Sequence, residues 1–575
     1  MCKMFKGLTL FAVTALLFII SSSVSQANVL YGQEENQEQK EEVSTNWTPL
    51  ELATLDIIEP EQPFQLFGQD SDVYGLRLSL FYAKNRDLVG IDFDPLGINR
   101  VTGNMTGIQL GGAINHTNNS VGGFQIAGLG NASGDLTGLQ ASLFGNKAFN
   151  VSGIQISGGL NVAEHGFAGI QVSGLGNSVS GRTGEATSKG IQIAGGINQN
   201  ACNFSGIQIG GVSNQNNGNT KGIQLAGGIN YSRRNLSGIQ VSGLGSVSDG
   251  NITGFQLSGG VNVARDYNIP SFQIGGLGNG AHKLTGLQLT AGVNIADTFN
   301  GLQVAGLGNG AGKGAKIQLA GGMNYSDDYA ALQVAGLWNS NRKGAMLQMT
   351  GGVNYSDRVM SGLQISGLGN FSEKFKGVQL TGGVNISDGH MSGLQLAGLG
   401  NYTRDIIGLQ IAGGTNFSRF KSGLQLSGIG NLAGKGATVQ LSGGFNLSSA
   451  YAHYQLAGLG NYSEMGFKGV QIAGVGNIVF KRYSYATSKG IQLAGGLNSH
   501  RGNFTGLQIA GLENGSKDIH GVQIAGIFNR ADHVRGAQIG LINYCKTLDG
   551  IQIGLLNIVK NKQTLPVLPI INVGL

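Results

Sequence analysis

The chain has 575 residues, including 101 Gly and 7 Pro, with 12% charged and 7% aromatic side chains and a net charge of +6. A chain this long ordinarily folds as several packed domains, but this Gly excess and this shortage of charged and aromatic residues exclude a string of ordinary globular units. Collagen is excluded too, because Gly does not recur at every third position and Pro is scarce.

Lys3 and Lys6 precede an apolar run from Leu8 to Ile20, and Ser25-Gln26-Ala27 supplies small residues for cleavage. This layout predicts a signal peptide over 1–27, export, and a mature chain beginning near Asn28. Cys2 stands ahead of the apolar run and so does not fit a lipid-anchored Cys. No later stretch approaches the roughly 18 apolar residues a membrane-spanning helix requires. Residues 28–63 are poor in large apolar residues and cluster Glu34, Glu35, Glu38, Glu41 and Glu42, which predicts a flexible acidic leader. Beyond it, Lys and Arg are scattered and often close to Asp or Glu. A solvated surface of mixed charge is therefore expected, and no nucleic-acid partner.

From Gln109 to Gln552 one phrase occurs twenty-nine times: a Gln between two apolar residues, usually with Gly before it and Asn six positions after. Gly222-Ile-Gln-Leu-Ala-Gly-Gly-Ile-Asn230 is one copy. Successive Gln residues lie mostly 15 or 16 apart, which marks an array of one supersecondary unit. Gly75-Leu-Arg-Leu78 and Gly90-Ile-Asp-Phe93 are worn copies with Arg77 and Asp92 in the Gln position, bringing the array to about 31 units. The organisation is thus an N-terminal cap with degenerate repeats over 64–106, the tandem array over 107–560 and a C-terminal cap strand over 561–575. Only Pro95 and Pro270 fall between the worn copies and the tail, as a continuous hydrogen-bonded ladder demands.

Alternation gives the local structure. In Thr253-Gly-Phe-Gln-Leu-Ser-Gly-Gly-Val-Asn-Val263, one face carries Phe255, Leu257, Val261 and Val263, and the other carries Gln256, Ser258 and Asn262. This is a strand with one apolar face, followed by turn residues. Copies ending Gly-Gly-apolar-Asn, as at Gly227 to Asn230, alternate with copies ending Gly-Leu-Gly-Asn, as at Gly367 to Asn370. The alternation runs from Gln155 through Gln455 when Val212 and Ile429 are counted with Leu, so the predicted coil is about 31 residues with two unlike strands. Bulky residues opposite Gly suit two facing surfaces that interlock. An all-β solenoid of about 31 Gly-rich half-coil units is expected, with Gln stacked on Gln and Asn on Asn. Fifteen or so coils at about 4.8 Å per rung give a rod on the order of 70 Å. The alternative is a large outer-membrane β-barrel, which Leu244 and Leu368 on the Gln face fit poorly.

A resemblance attaches to particular segments: Gly536-Ala-Gln-Ile-Gly-Leu-Ile-Asn543, Gly550-Ile-Gln-Ile-Gly-Leu-Leu-Asn557, the ending Leu565-Pro-Val-Leu-Pro-Ile-Ile-Asn572 and the opening Val73-Tyr-Gly-Leu-Arg-Leu-Ser-Leu-Phe-Tyr-Ala-Lys-Asn-Arg86. Together they resemble the bacterial surface-repeat family first noted in Leptospira. The resemblance implies an exported envelope protein and carries no established activity. The alternating endings in the middle of the array depart from the family's simpler Gly-Leu-apolar-Asn form.

No nucleotide-binding, phosphate-binding, zinc-protease or Cys-x-x-Cys motif occurs, and no catalytic, cofactor-binding or metal-binding residue is singled out. Asp297, Asp327, Asp357 and Asp388 share one position in four Gly-Gly copies, and 31-residue coils would stack them about 4.8 Å apart as a cation column or as solvated turn residues. His500, His520 and His533 differ in phase, against a metal site. Triplets such as Asn324-Tyr-Ser326 follow from the repeat without glycosylation. Cys202 and Cys545 are too far apart along a linear stack to pair. The spacing rises to 21 before Gln192 and before Gln492, and both inserts end Ala-Thr-Ser-Lys-Gly-Ile-Gln, which marks a duplicated block and two long loops, either binding sites or inherited loop length without a role. The functional expectation is a non-enzymatic, exported envelope protein presenting an elongated β surface for adhesion or scaffolding. The rivals are a barrel acting as pore or anchor, and a polysaccharide-processing β-helix, which would need a localised acidic cleft. Envelope polysaccharide, membrane or host surface remain open as partners, and no cofactor is expected.

Overall fold

The computed structural model describes residues 47–53, 70–181, 187–266, 270–480 and 487–574. The signal-peptide region, most of the leader and the tips of both long loops lie outside the described residues. Every regular element described is a β-strand, and strand after strand pairs in parallel with the strand one repeat further on. Gln155 stands beside Gln171, Gln171 beside Gln192 and Gln224 beside Gln240, while Asn214 stands beside Asn230. The chain is a β-solenoid of about 31 turns, not a barrel.

The register corrects the predicted coil. Consecutive repeats, not alternate ones, stack on each other, so each 15- or 16-residue phrase is a whole turn rather than half of one. Fifteen residues suffice because the return strand is short. Ile252–Ser258 runs out, Gly259-Gly260 bends, and Val261–Ala264 brings the chain back. About 31 rungs at about 4.8 Å make a rod of about 150 Å, twice the length expected from 31-residue coils. The barrel alternative fails because transmembrane barrels of this type are antiparallel and closed. The tail does not close a barrel either: Val567–Gly574 lies antiparallel on the last turn alone, with Gly550 opposite Gly574. There Lys562 Nζ donates to Asn572 Oδ1 (2.8 Å) and to the Val573 carbonyl (2.7 Å), tying the cap down. At the other end, Trp47–Ala53 pairs in parallel with Asp72–Ser79, so part of the predicted flexible leader is a strand of the stack. A parallel edge offers its amides and carbonyls to an extended segment.

The faces are also inverted. Gln256, Ser258 and Asn262 point inward and are almost fully buried, whereas Phe255 and Leu257 are 48% and 43% exposed on the outside. The two strands enclose an interior only one side chain deep, filled by Gln, Asn and small residues. At the bend, Leu244 and Leu368 share the parity of Gln but turn outward, 63% and 67% exposed. Bulky and Gly positions therefore interlock between neighbouring rungs on the outer corner, not between two facing sheets. One such contact places Leu160 Cδ2 only 3.3 Å from where a Cβ on Gly176 would sit.

Buried amides are tolerable only when fully paired, and the stack pairs them. Each Gln Nε2 donates to Oε1 of the preceding Gln, as Gln125 does to Gln109 at 2.8 Å and Gln552 to Gln538 at 2.7 Å. Its second hydrogen goes in several turns to a Ser or Thr hydroxyl, as from Gln140 to Ser133 at 2.9 Å. Asn residues run the other way: Asn115 Nδ2 donates forward to Asn131 Oδ1 (2.9 Å) and to the Ile126 carbonyl (2.9 Å). Two amide ladders of opposite polarity thus fill the interior side by side.

The Asn ladder breaks once in mid-array, where Ser246 occupies the Asn position and leaves Asn262 Oδ1 buried without a partner. Ser246→Asn is expected to restore both links and stabilise the surrounding turns by about 1 kcal/mol. Slower amide exchange in 229–264 checks this, and unchanged or faster exchange contradicts it.

The large apolar core is a single column four residues before Gln, beside the turn edge. Leu136, Val151, Phe167, Phe204, Leu236, Phe299, Met360, Phe375 and Phe504 belong to it, each at most 2% exposed. The Gly two before Gln supplies the remaining constraint. Gly377 has φ +135°, and a Cβ there would sit 2.0 Å from the Gly362 carbonyl oxygen one rung below. Only Gly adopts this conformation at that approach.

Candidate functional site

The cross-section has two unlike edges. Turn residues between Asn and the next strand form a charged edge, with ion pairs and side-chain hydrogen bonds between neighbouring rungs. Arg265 Nη1 lies 3.0 Å from Asp249 Oδ1 and His282 Nδ1 lies 2.9 Å from Asp297 Oδ2. Phe420 gathers Lys435, Arg404 and Arg419 at 4.4, 5.2 and 5.7 Å from its ring centroid, and Arg501 lies 4.3 Å over Phe480. One turn per repeat also corrects the Asp column. Asp297, Asp327, Asp357 and Asp388 are two rungs apart, about 9.6 Å. Gly312, Arg342 and Glu373 occupy the same position on the rungs between them. No cluster of three metal-capable side chains exists among the described residues.

Across the rod lies an apolar edge. The residues flanking Gln, the bend and the outward residues of the Asn strand wrap around it, and none from Ile154 to Leu512 is charged. Its most exposed members are the bend residues, such as Leu277 at 70%, Leu337 at 68% and Leu399 at 67%. A contiguous apolar surface this long greatly exceeds the few hundred Å² usual on a soluble monomer and marks a contact surface.

Near the N-terminal end the charged edge opens into a polar groove of about 720 Å³, lined by Asn104, His116, Asn119, Asp135, Phe149 and Glu164 among others. Its acids are engaged: Glu164 Oε1 pairs with Lys147 Nζ at 2.8 Å, and Asp135 Oδ1 accepts from Asn150 Nδ2 at 2.8 Å. Burial, with a smaller contribution from Arg100, lowers the His116 pKa and favours its neutral form. Nothing in the sequence pattern marked this groove, because its residues come from the positions between Asn and the next Gln phrase that vary between repeats.

The other flagged residues fall apart or inside. His500 is buried, while His520 pairs outside with Arg535 (3.2 Å) and His533 with Thr547 (2.6 Å). Asn324 and Ser326 are fully buried, and Asn324 belongs to the Asn ladder, so that triplet cannot accept a glycan in the folded chain. Cys202 and Cys545 are buried and free. The duplicated block is explained locally. Both copies put Ser in the core column, at Ser188 and Ser488, and each is met by a larger neighbour, Cys202 Sγ at 3.0 Å or His500 Nε2 at 2.7 Å.

His500 Nδ1 accepts from the Gly502 amide (3.1 Å), so Nε2 carries the proton and donates to Ser488, the reverse of what activating a nucleophile requires. Burial holds this imidazole down at about 4. An unfolded His titrates near 6.5, so as pH falls the unfolded chain takes up a proton first. The stability due to a neutral His500 is complete above about pH 6.5 and is lost between about 6.5 and about 4, on the order of 3 kcal/mol in all. Amide protection in 497–510 should fall across that window in the wild type and less in His500→Ser. Equal losses in the two proteins would contradict the assignment.

No family model matches this chain, and no curated protein and no solved structure is significantly similar to it.

Proposed function

We propose that this is an exported, non-enzymatic repeat protein of the bacterial envelope whose elongated β surface serves adhesion or scaffolding. The observation that carries the reading is the segregation of one long rod into a charge-free apolar edge and a charged edge. Such a surface is laid out for contact along its length. The amide-filled interior supports the same reading, since its Gln and Asn side chains are engaged in holding rungs together. The signal-peptide layout and the resemblance to the leptospiral type of surface repeat favour export.

The test is made in the producing bacterium. Protease treatment of intact cells should clip the chain, and deleting its gene should lower cell–cell or cell–surface attachment several-fold, restored by the wild-type chain. A protease-protected cytoplasmic protein, or attachment unchanged by deletion, would refute the proposal.

A further inference from the structure

The apolar edge has a pattern as well as a composition. Along the column four residues after Gln, Leu277, Leu307, Leu337, Leu368 and Leu399 alternate with Gly292, Gly322, Gly352 and Gly383. In the adjoining column the order is reversed, with Val293, Met323, Val353 and Val384 on the Gly rungs and Gly278, Gly308, Gly369 and Gly400 on the Leu rungs. The result is a checkerboard of knobs and glycine-floored notches repeating every two rungs, about 9.6 Å. It is interrupted at Ser213 and Trp338, which stand where the pattern places Gly. The knobs are 65–70% exposed, while the notches are shallow: Gly308 and Gly369 are themselves buried, and Leu160 and Phe371 of the same chain lie against Gly176 and Gly369.

We infer that this edge docks against the same edge of a second copy, the two chains zipping along their lengths with Leu knobs of one in the Gly notches of the other. A checkerboard is complementary to itself, and a two-fold axis brings knob to notch along the whole strip and closes the assembly. The area is sufficient. The alternation runs over twenty rungs from Gln155 to Gln455. At about 4.8 Å each and about 10 Å width, contact removes on the order of 1,000 Å² from each copy, against the roughly 800 Å² per partner of a stable complex. A lipid surface fits less well, because the Lys residues beside the strip, such as Lys189, Lys221 and Lys376, are scattered over distant rungs and most charges sit on the opposite edge. The inference shares only the apolar edge with the proposed function. Self-association is read on purified protein and attachment on cells, so either can fail alone.

The experiment is sedimentation equilibrium of the full chain purified after export, without detergent, from about 0.1 to about 20 µM. Trp338, 41% exposed on the strip, supplies a parallel fluorescence readout. The wild type should reach twice the chain mass, with Trp338 emission shifting to shorter wavelength as concentration rises. Leu307→Glu/Leu337→Glu/Leu368→Glu should raise the dissociation constant at least about 100-fold with unchanged circular dichroism. Asp327→Lys, on the charged edge, should leave it unchanged. Should the Glu variant not fold, the matching triple Ala variant is read instead, with about a tenfold rise expected. The inference is overturned by a wild type that stays monomeric at about 20 µM, by a folded triple variant that associates as before, by weakening in Asp327→Lys equal to that of the triple variant, or by a chain that floats with phosphatidylcholine–phosphatidylglycerol vesicles instead of pairing.

Discussion

Asp92→Gln alone should destabilise the N-terminal turns by about 3–5 kcal/mol, whereas Arg77→Gln and Asp92→Gln together should cost little or nothing. Arg77 and Asp92 are fully buried at the head of the Gln ladder. Arg77 Nε donates to Asp92 Oδ1 at 2.7 Å, and Asp92 Oδ2 also accepts from Gln109 Nε2 at 2.9 Å. The ladder donates toward the N-terminus, so its first amide needs an acceptor with nothing beyond it. A carboxylate meets that need, and the guanidinium neutralises the carboxylate while donating to Asn85 and Asn99. Removing Asp92 alone strands a buried cation, the costly way to break such a pair. Replacing both residues extends a neutral ladder by two rungs. The readout is amide exchange in 73–101 across the double-mutant cycle. Two single-variant losses that simply add in the double variant would contradict the coupling.

Gln395→Ala should cost about 4–6 kcal/mol, while Leu396→Gln at the next position should cost about 1 kcal/mol or less. Gln395 donates to Gln379 at 2.8 Å and accepts from Gln410 at 2.8 Å. Truncating it orphans one buried donor and one buried acceptor, at about 1–3 kcal/mol each, and opens a cavity as well. Leu396 is 41% exposed on the outer face and gives up only partial contact with its neighbours on adjacent rungs. Denaturant unfolding of the two variants ranks them. If the apolar face were the core, the order would reverse.

That inversion shows what the sequence holds and what it withholds. Period-two alternation around Gln256 states that the strand has two faces but not which one turns inward. The decision rests with the width of the turn. A 15-residue coil has room for Gln, Asn and small residues whose amides bond along the axis, and none for two layers of Phe255 and Leu257. The core column at Leu136, Phe204 and Phe504 was harder to see, because it varies in size and sits beside the polar turn. The 31-residue period is real but does not mark a coil. The two kinds of copy differ at the bend, as between Gly228-Ile229 and Leu244-Gly245, and both positions lie outside. They report how neighbouring rungs interlock, not how many residues close a coil. The stacking of Gln on Gln, the near exclusion of Pro, the cap strand at the C-terminal end and the worn first copies were all readable. So was the substitution of opposite charges at Arg77 and Asp92, one repeat apart, although only the one-turn register shows that they touch. The polar groove around Phe149 had no sequence signal, since its residues come from variable positions of unrelated composition between successive Gln phrases.

One repeat per turn is the claim on which the rest depends, and rod length tests it most directly. Negative-stain electron microscopy of the purified chain should show rods about 150 Å long, from about 31 rungs at about 4.8 Å. Rods of about 70–75 Å would mean that two repeats make one turn and would contradict the inward Gln ladder built on consecutive copies.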